Sequence, residues 1–161
     1  MIRPAIPADA NVIAAIYNHF VLNTTITFEE DAVTAEEMAY RIESVSALLP
    51  WYVYERGEKV IGYAYATPWR VRSAYRFSAE TTVYVAPDYA RQGIGRQLYL
   101  TLIEALRSKN IQVALGGIAQ PNHSSVALHE NLGFEKVAHF KRVGHKFEQW
   151  VDVGYWELQL R

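Results

Sequence analysis

The spacing of apolar residues divides the first third of the chain into a short strand and two helices. Between Val12 and Phe20, apolar side chains recur three and four positions apart, which is typical of an amphipathic helix. Asp9 precedes this segment and is its predicted N-cap. Thr34 and Glu37 have the spacing of a capping box and predict the start of a second helix. The short strand is predicted around residues 2–3, ahead of both helices.

From Trp51 onwards the apolar period changes to two, which is typical of β-strands. Residues 51–54 and 60–65 flank a glycine-containing turn and predict a hairpin, and a third strand is predicted near residues 77–85. The remaining pattern predicts a helix from Gly93, a strand at residues 113–115, a helix ending at Gly133 and two further strands. The order β-αα-βββ-α-β-α-ββ predicts an α/β fold on a mixed sheet, because a strand-helix-strand unit lies between hairpins.

Length and composition limit the classes of protein that fit this pattern. The 161 residues contain no linker or internal repeat, which predicts a single domain covering residues 1–161. With 16 basic against 17 acidic residues, the net charge of −1 favours neither nucleic acid nor an anionic membrane as a partner. Prolines interrupt the N-terminus early, and no apolar run is long enough to span a bilayer, so we expect a cytoplasmic protein.

The sequence contains no cysteine, which removes several kinds of chemistry. A disulfide-stabilised scaffold, cysteine-ligated zinc and a covalent acyl-cysteine intermediate are excluded. His123, His139 and His145 have no close carboxylate at the spacing of a metal site, so no metal is expected. An enzyme of this composition would use carboxylates, imidazoles, phenols and backbone amides.

A predicted strand, a glycine-containing loop and a helix N-terminus follow one another between Val83 and Arg96. Unpaired N–H groups and the positive end of the helix dipole make such a junction suitable for phosphate, although glycines alone are equally compatible with an ordinary turn. No Lys follows the glycines, as a P-loop requires, and a dinucleotide fingerprint would need a third glycine. Both nucleotide motifs are therefore disfavoured, and a pyrophosphate loop of another kind remains.

Several separated motifs resemble a known family. The segment 83–96, then Asn122-x-x-Ser125, then Leu-His-Glu-Asn-Leu-Gly-Phe at 128–134 resemble the acetyl-CoA-binding signature of the GNAT superfamily of N-acetyltransferases. The closer resemblance is to phosphinothricin acetyltransferases and to enzymes acting on methionine sulfone and methionine sulfoximine, and it covers nearly the whole chain. It implies a mixed, splayed central sheet flanked by about four helices, with acetyl-CoA as co-substrate.

The resemblance also assigns cofactor-binding residues. The free backbone of Val83, Tyr84 and Val85 would pair with the pantetheine arm, and Asn122 and Ser125 would lie along the same groove. Backbone amides would hold the pyrophosphate at Arg91, Gln92, Gly93, Ile94, Gly95 and Arg96. Family members usually carry Gln or Arg three residues before the first glycine, where this chain has Ala90. Because the cradle consists mainly of backbone N–H groups, we expect this departure to matter little.

Two residues are candidates for proton transfer. An ammonium group cannot attack a thioester, so a base must take its proton, and Glu80 lies at the start of the cofactor-presenting strand. The alternative is a strand-end carboxylate satisfied by Arg76 or by solvent. His129 stands where many family members have a Tyr that acts as general acid. It is a candidate acid for the CoA thiolate, and the alternative is a structural or CoA-contacting role.

The acceptor site is predicted from the loop at residues 67–76, where three arginines stand within seven positions beside aromatic residues. A guanidinium group binds a carboxylate with two parallel hydrogen bonds, so Arg72 is the first choice for a substrate carboxylate, with Arg70 beside it. Tyr75 and Phe28 are the expected walls. The alternative is a solvated loop with ordinary surface arginines.

These assignments predict direct acetyl transfer to the α-amine of a small amino acid analogue. Two rivals stay open: an acetyltransferase for another acceptor, such as a polyamine or a protein N-terminus, and a non-catalytic CoA-binding sensor. A homodimer is expected, because the family resemblance implies a dimer and the aromatic C-terminal strands offer an interface.

Overall fold

The computed structural model describes all 161 residues and contains seven strands and four helices. The elements are β1 (Ile2–Pro4), α1 (Ala10–Asn23), α2 (Ala35–Ser46), β2 (Trp51–Arg56), β3 (Lys59–Pro68), β4 (Ser78–Val85), α3 (Ile94–Ser108), β5 (Val113–Ala119), α4 (His123–Asn131), β6 (Glu135–Lys146) and β7 (Gln149–Gln159). Their order is the one that the apolar periods predict. None of the helices has both the length and the apolar character needed to cross a membrane.

The strands form one sheet in the order β1-β2-β3-β4-β5-β7-β6. Every neighbouring pair is antiparallel except β4 and β5, which are parallel and joined by α3. The predicted mixed sheet is therefore confirmed. β6 and β7 form a long hairpin at one edge of the sheet, and β6 carries a bulge between Phe140 and Gly144.

The parallel pair holds together for only three residues. Ser78, Ala79 and Glu80 pair with residues 113–115, and beyond Glu80 the two strands run on without pairing to each other. Both remain anchored on their outer sides, since β4 pairs with β3 as far as Val85 and β5 pairs with β7 over its whole length. The sheet is thus split in its middle, as the family resemblance implies.

A separate hydrophobic core covers each face of the sheet. Helix α3 packs on one face through Leu98, Leu102 and Leu106, which are fully buried. Helices α1 and α2 pack on the opposite face around Ile13 and Ile42. Helices α1 and α2 cover mainly the β1–β4 half of that face. The face over β5 and β7 is consequently left open for a cavity.

The predicted helix ends are partly confirmed. The Thr34 hydroxyl accepts a hydrogen bond from the Glu37 amide at 3.1 Å, as a cap should. Asp9 precedes α1, but its side chain makes no cap hydrogen bond to that helix. Its carboxylate instead accepts two 2.9 Å hydrogen bonds from the Arg3 guanidinium and one from the Ile6 amide. Asp9 therefore occupies the predicted N-cap position, but its side chain fastens β1 to the turn before α1 and does not cap the helix.

Candidate active site

A groove of about 660 Å³ follows the unpaired part of β4 towards the start of α3. Its walls come from β4, from the loop before α3, and from α3, β5 and α4. The groove exists because the split leaves one edge of each central strand without a partner. Unpaired backbone N–H and C=O groups need hydrogen bonds from a ligand or from water. An extended ligand with amide groups fits this requirement.

The N-terminus of α3 closes one end of this groove. Gly93 has a φ of +78°, a left-handed conformation that favours glycine, and it provides no side chain to cap the helix. The first intrahelical donor is the Gln97 amide, which bonds the Gly93 carbonyl at 3.1 Å. The amides of residues 94–96 are left without helical partners, and Arg91 and Arg96 line the groove beside them. This arrangement suits a pyrophosphate.

Nearly all of the predicted cofactor-binding residues line the groove. They are Val83, Tyr84, Val85, Arg91, Gly93, Ile94, Gly95, Arg96, Asn122 and Ser125. Gln92 is the exception, because its side-chain carbonyl accepts a 2.8 Å hydrogen bond from Arg56 and points elsewhere. The Asn122 carbonyl oxygen caps α4 by accepting from the Ser125 amide at 3.2 Å. Tyr89, Leu128 and Asn131 also line the groove and were not predicted.

A second cavity of about 750 Å³ lies on the open face over β5 and β7. Side chains alternate along β4, so Glu80, Thr82 and Tyr84 point towards this cavity, while residues 81, 83 and 85 face α3 and α4. The two cavities share wall residues at the split: Ile26, Thr81, Thr82, Tyr84, Gly117 and Ala119. A ligand in the groove and a ligand in the cavity can therefore meet between β4 and β5.

Glu80 lies in the wall of the second cavity, near the last paired residues of the split. It makes no ion pair, and Arg76, its predicted alternative partner, donates instead to the Ser73 carbonyl at 3.0 Å. Burial and the nearby Glu80 carboxylate raise the pKa of Tyr155 to about 12, so this phenol stays protonated. Glu80 therefore has no cationic partner in the cavity, and the Tyr155 phenol lies beside its carboxylate.

Arg70 is the one arginine among the residues that line the cavity, and Arg72 lies outside it. Arg70 lines the cavity, with its guanidinium carbon 4.6 Å from the centre of the Trp69 ring. The β3–β4 ladder extends to Trp69, whose amide donates to the Ser78 carbonyl at 3.3 Å, and Arg70 follows directly. Arg72 is exposed at the start of the next turn. The first choice for a carboxylate ligand therefore moves from Arg72 to Arg70.

The two predicted aromatic walls differ in their placement. Tyr75 does not line the cavity but packs edge-on behind Trp69, with the ring centres 5.4 Å apart. Phe28 does line it, and its ring packs directly against the backbone of Gly144 in β6. Trp69, Phe140 and Tyr155 are further aromatic walls that were not predicted. In the sequence, Phe140 and Tyr155 belong to an ordinary strand pattern, and such a pattern does not indicate which face of the strand borders a cavity.

The loop that carries Phe28 is fixed at both of its sides. The Tyr17 hydroxyl donates to Glu29 at 2.8 Å, and Arg41 binds the same carboxylate through two hydrogen bonds of 2.6 and 3.2 Å. From the opposite side, the buried Lys146 ammonium donates to the Thr27 carbonyl at 2.8 Å. These contacts hold the loop against α1, α2 and β6, so the cavity wall is preorganised.

His129 is buried beneath the groove, where its hydrogen bonds oppose the predicted acid role. Its Nδ1 lies 2.7 Å from the Ser125 carbonyl, which can only accept, so Nδ1 carries the proton. The Tyr99 hydroxyl lies 3.1 Å from Nε2, and burial keeps the pKa of the imidazole below its usual range. In neutral His129, Nε2 accepts a hydrogen bond from Tyr99, and the proton on Nδ1 is held by the Ser125 carbonyl. Neither nitrogen therefore offers a proton to a thiolate.

The packing of His129 indicates a structural role. A Cβ atom on Gly116 would lie 2.5 Å from Nε2, so the imidazole rests on the bare backbone of β5. His129 thereby fixes α4, which carries Asn122 and Ser125 at its start, against the open edge of the split. It shapes the groove from below.

The split sheet, the uncapped helix terminus and the adjoining cavity provide neighbouring places for a phosphate-bearing ligand and a small molecule. Residues 2–154 match the family described as the acetyltransferase (GNAT) domain. The chain belongs to this family, and it is an acetyltransferase of the GNAT type. The family and the fold expected from the sequence are confirmed.

Individual relatives match the chain over almost its full length. It is 37% identical over 163 residues to the phosphinothricin N-acetyltransferase of Streptomyces coelicolor, covering 99% of this chain and 95% of that protein. It is 36% identical over 160 residues to the L-methionine sulfoximine/L-methionine sulfone acetyltransferase of Salmonella typhimurium, covering 99% and 94%. A phosphinothricin acetyltransferase from Sinorhizobium meliloti, solved in complex with acetyl-CoA, superposes with a TM-score of 0.95 at 34% identity, covering 99% and 87%.

Replacing Gly95 with Ala should separate folding from cofactor binding. A Cβ atom there would meet Leu128, Val85 and Val83 at 3.5 to 3.9 Å, which is ordinary contact, and Ala favours helix more than Gly does. The melting temperature of Gly95→Ala should therefore stay the same or rise. The methyl group would narrow the groove, and the Kd of CoA measured by calorimetry should rise about tenfold, or about 1.4 kcal/mol. An unchanged Kd would contradict the position of the groove.

His129 should be neutral at pH 7, with its proton on Nδ1, when observed by ¹⁵N NMR of the imidazole. In the unfolded chain its pKa is about 6.5, so the unfolded state binds more protons just below that pH. The free energy of unfolding should therefore fall as the pH is lowered below about 6.5, and His129→Gln should flatten this dependence. The matched variant His123→Gln, at the exposed start of α4, should not flatten it. A cationic imidazole at pH 7 would restore the acid role.

Proposed function

We propose that this protein transfers the acetyl group of acetyl-CoA directly to the α-amine of small amino acid analogues of the phosphinothricin, methionine sulfoximine and methionine sulfone type. The observation that carries the proposal is the carboxylate of Glu80, which has no ion-pair partner and lies in the wall of the second cavity at the last paired residue before the split. The names of the relatives support the acceptor class.

The residues of the groove fit acetyl-CoA. The unpaired backbone of residues 82–85 suits the amides of the pantetheine arm, and the free amides of residues 94–96 with Arg91 and Arg96 suit the pyrophosphate. When bound, acetyl-CoA supplies an acetyl group activated as a thioester. Asn122 and Ser125 border the same groove from α4.

Glu80 acts as the general base in this proposal. An acceptor ammonium must lose a proton before its nitrogen becomes nucleophilic, and Glu80 is a carboxylate inside the cavity with no ion-pair partner to compete. Proton removal takes place directly or through one water molecule. Thiols of this kind have a pKa near 8.5, so the leaving thiolate can depart without a dedicated acid, consistent with the neutral state of His129.

Arg70 holds the acceptor carboxylate in this proposal. It is the cation of the cavity wall, and its stacking on Trp69 limits the number of conformations that its guanidinium can adopt. Arg72 and Tyr75 support the loop from outside the cavity and serve binding at most indirectly. Phe28 closes the opposite end as an apolar wall.

The two rival functions fit the site less well. A polyamine has no carboxylate to pair with Arg70, and the fixed loop around Phe28 restricts a long peptide. A CoA-binding sensor gives no reason for a carboxylate without an ion-pair partner in the cavity wall beside the split. Direct transfer is favoured because the chain has no cysteine that could carry an acyl group.

A homodimer and a cytoplasmic location stay predictions, as does the lack of nucleic acid and membrane partners. The β6–β7 hairpin offers the surface for a second copy. Its exposed apolar side chains are Val137, Phe140, Val143, Phe147 and Trp150.

Loss of the base should abolish turnover without loss of cofactor binding. Glu80→Gln should lower kcat by at least about 100-fold at pH 7, because the ammonium then lacks a proton acceptor. The measurement is thiol release from acetyl-CoA with methionine sulfoximine, methionine sulfone, phosphinothricin, spermidine and an alanine-initiated peptide. The exposed Glu36→Gln on α2 is the matched control and should behave as wild type. Near-normal turnover by Glu80→Gln, or no thiol release with any amino acid, would sink the proposal.

The two arginines should differ sharply in their effect on the acceptor. Arg70→Gln removes a charge-assisted carboxylate contact, so the KM of the amino acid should rise about 10- to 100-fold while the KM of acetyl-CoA stays the same. Arg72→Gln should change the acceptor KM by less than about threefold, because the side chain is exposed outside the cavity. Steady-state kinetics with both substrates varied will measure this. A larger effect at Arg72 would return the carboxylate contact to that residue.

A further inference from the structure

The acceptor cavity contains a second carboxylate, Glu157, that the proposed mechanism does not use. In the sheet register, Glu80 on β4 pairs with Leu115 on β5, and Leu115 pairs with Glu157 on β7. Paired residues on neighbouring strands project from the same face, so the three side chains form one row in the cavity wall. Two strand spacings place the Cα atoms of the two glutamates roughly 10 Å apart.

Glu157 is available to a ligand. Its side chain is partly exposed, makes no ion pair, and accepts one 3.3 Å hydrogen bond from the amide of Gln159 on the same strand. Tyr155, two positions before it on β7, points into the same cavity. Glu157 therefore faces the acceptor from the same wall as Glu80, with Leu115 between them.

The charges in the cavity wall are unequal. Glu80 and Glu157 contribute two carboxylates, and Arg70 contributes the single cation. A zwitterionic amino acid with a neutral side chain matches this set, because its carboxylate can pair with Arg70 and its ammonium can lie between the glutamates. The rest of the wall is largely apolar, with Phe28, Phe140 and Val143 at the far end.

We propose that Glu157 is a specificity-determining residue that helps to hold the acceptor ammonium and disfavours acceptors whose side chains carry a negative charge. The inference rests on the proposed acetyl transfer to amino acids. Phosphinothricin has a phosphinate anion in addition to its carboxylate, and no second cation of the wall is available to pair with it. Methionine sulfone has a neutral side chain of similar length. The protein therefore prefers neutral amino acids such as the sulfone to phosphinothricin.

Binding measurements test this specificity apart from catalysis. Calorimetry of the protein saturated with CoA should give a Kd for methionine sulfone at least about tenfold below that for phosphinothricin. In Glu157→Gln the Kd of the sulfone should rise about threefold and that of phosphinothricin should fall about threefold, so that the ratio changes about tenfold. Kinetic measurements on the same variant should show the change in KM of the acceptor, with kcat and the KM of acetyl-CoA nearly unchanged.

The matched control is Glu135→Gln, which removes the next carboxylate along the same row. Glu135 pairs with Glu157 in register but is exposed on β6 outside the cavity, so all of its constants should equal those of wild type. Glu157→Asp keeps the charge and should keep the binding ratio, which separates charge from folding. An unchanged ratio in Glu157→Gln, or equal binding of both amino acids by wild type, would overturn the inference. Selective binding without thiol release would instead refute the proposed function alone.

Discussion

The separation of β4 from β5 after three paired residues is the constraint on which the rest of the structure depends. A split in the middle of a sheet leaves backbone groups unpaired, and it persists here because each strand is paired along its other edge. At its start, the buried Thr81 hydroxyl donates to the Leu115 carbonyl at 3.3 Å and bridges the two strands. The split creates the groove on one face and connects it with the cavity on the other.

The surroundings of the split are rigid on both faces of the sheet. On the α3 side, the His129 ring rests on Gly116 and is linked to Tyr99 and Ser125, so that α4 stays beside the groove. On the other side, Glu29 and Lys146 fix the loop that carries Phe28. Buried polar groups at these places are satisfied by one another, which allows them to hold the walls without a bound ligand. A preorganised site loses less entropy when the two substrates bind.

The net charge of the chain is near zero, but the groove and the cavity carry charged side chains of opposite sign. Arg91 and Arg96 lie at the free N-terminus of α3, where the helix dipole also favours an anion. The acceptor cavity carries Glu80, Glu157 and one arginine and is therefore negative overall. The groove and the cavity thus offer environments of opposite sign, and the split connects them.

Much of the fold was accessible from the sequence because strand and helix periods are local properties. The alternation from Trp51 onwards, the Thr34 cap and the left-handed Gly93 before α3 all depend on residues a few positions apart. The family motifs likewise fall together along one groove, since loop and helix terminus are continuous in the chain.

The acceptor site was decided by tertiary structure, because its residues meet through strand register and packing across the sheet. Asp9 could cap α1 by its position alone, but Arg3 on β1 is close enough to bind it. The end of the β3–β4 ladder determined that Arg70, and not Arg72, reaches the cavity. Glu157 lies 77 residues after Glu80 in the chain. Only the pairing of β4, β5 and β7 places both side chains in one row. The sequence by itself determined the elements and the donor loop, whereas long-range pairing decided which charged side chains face the acceptor.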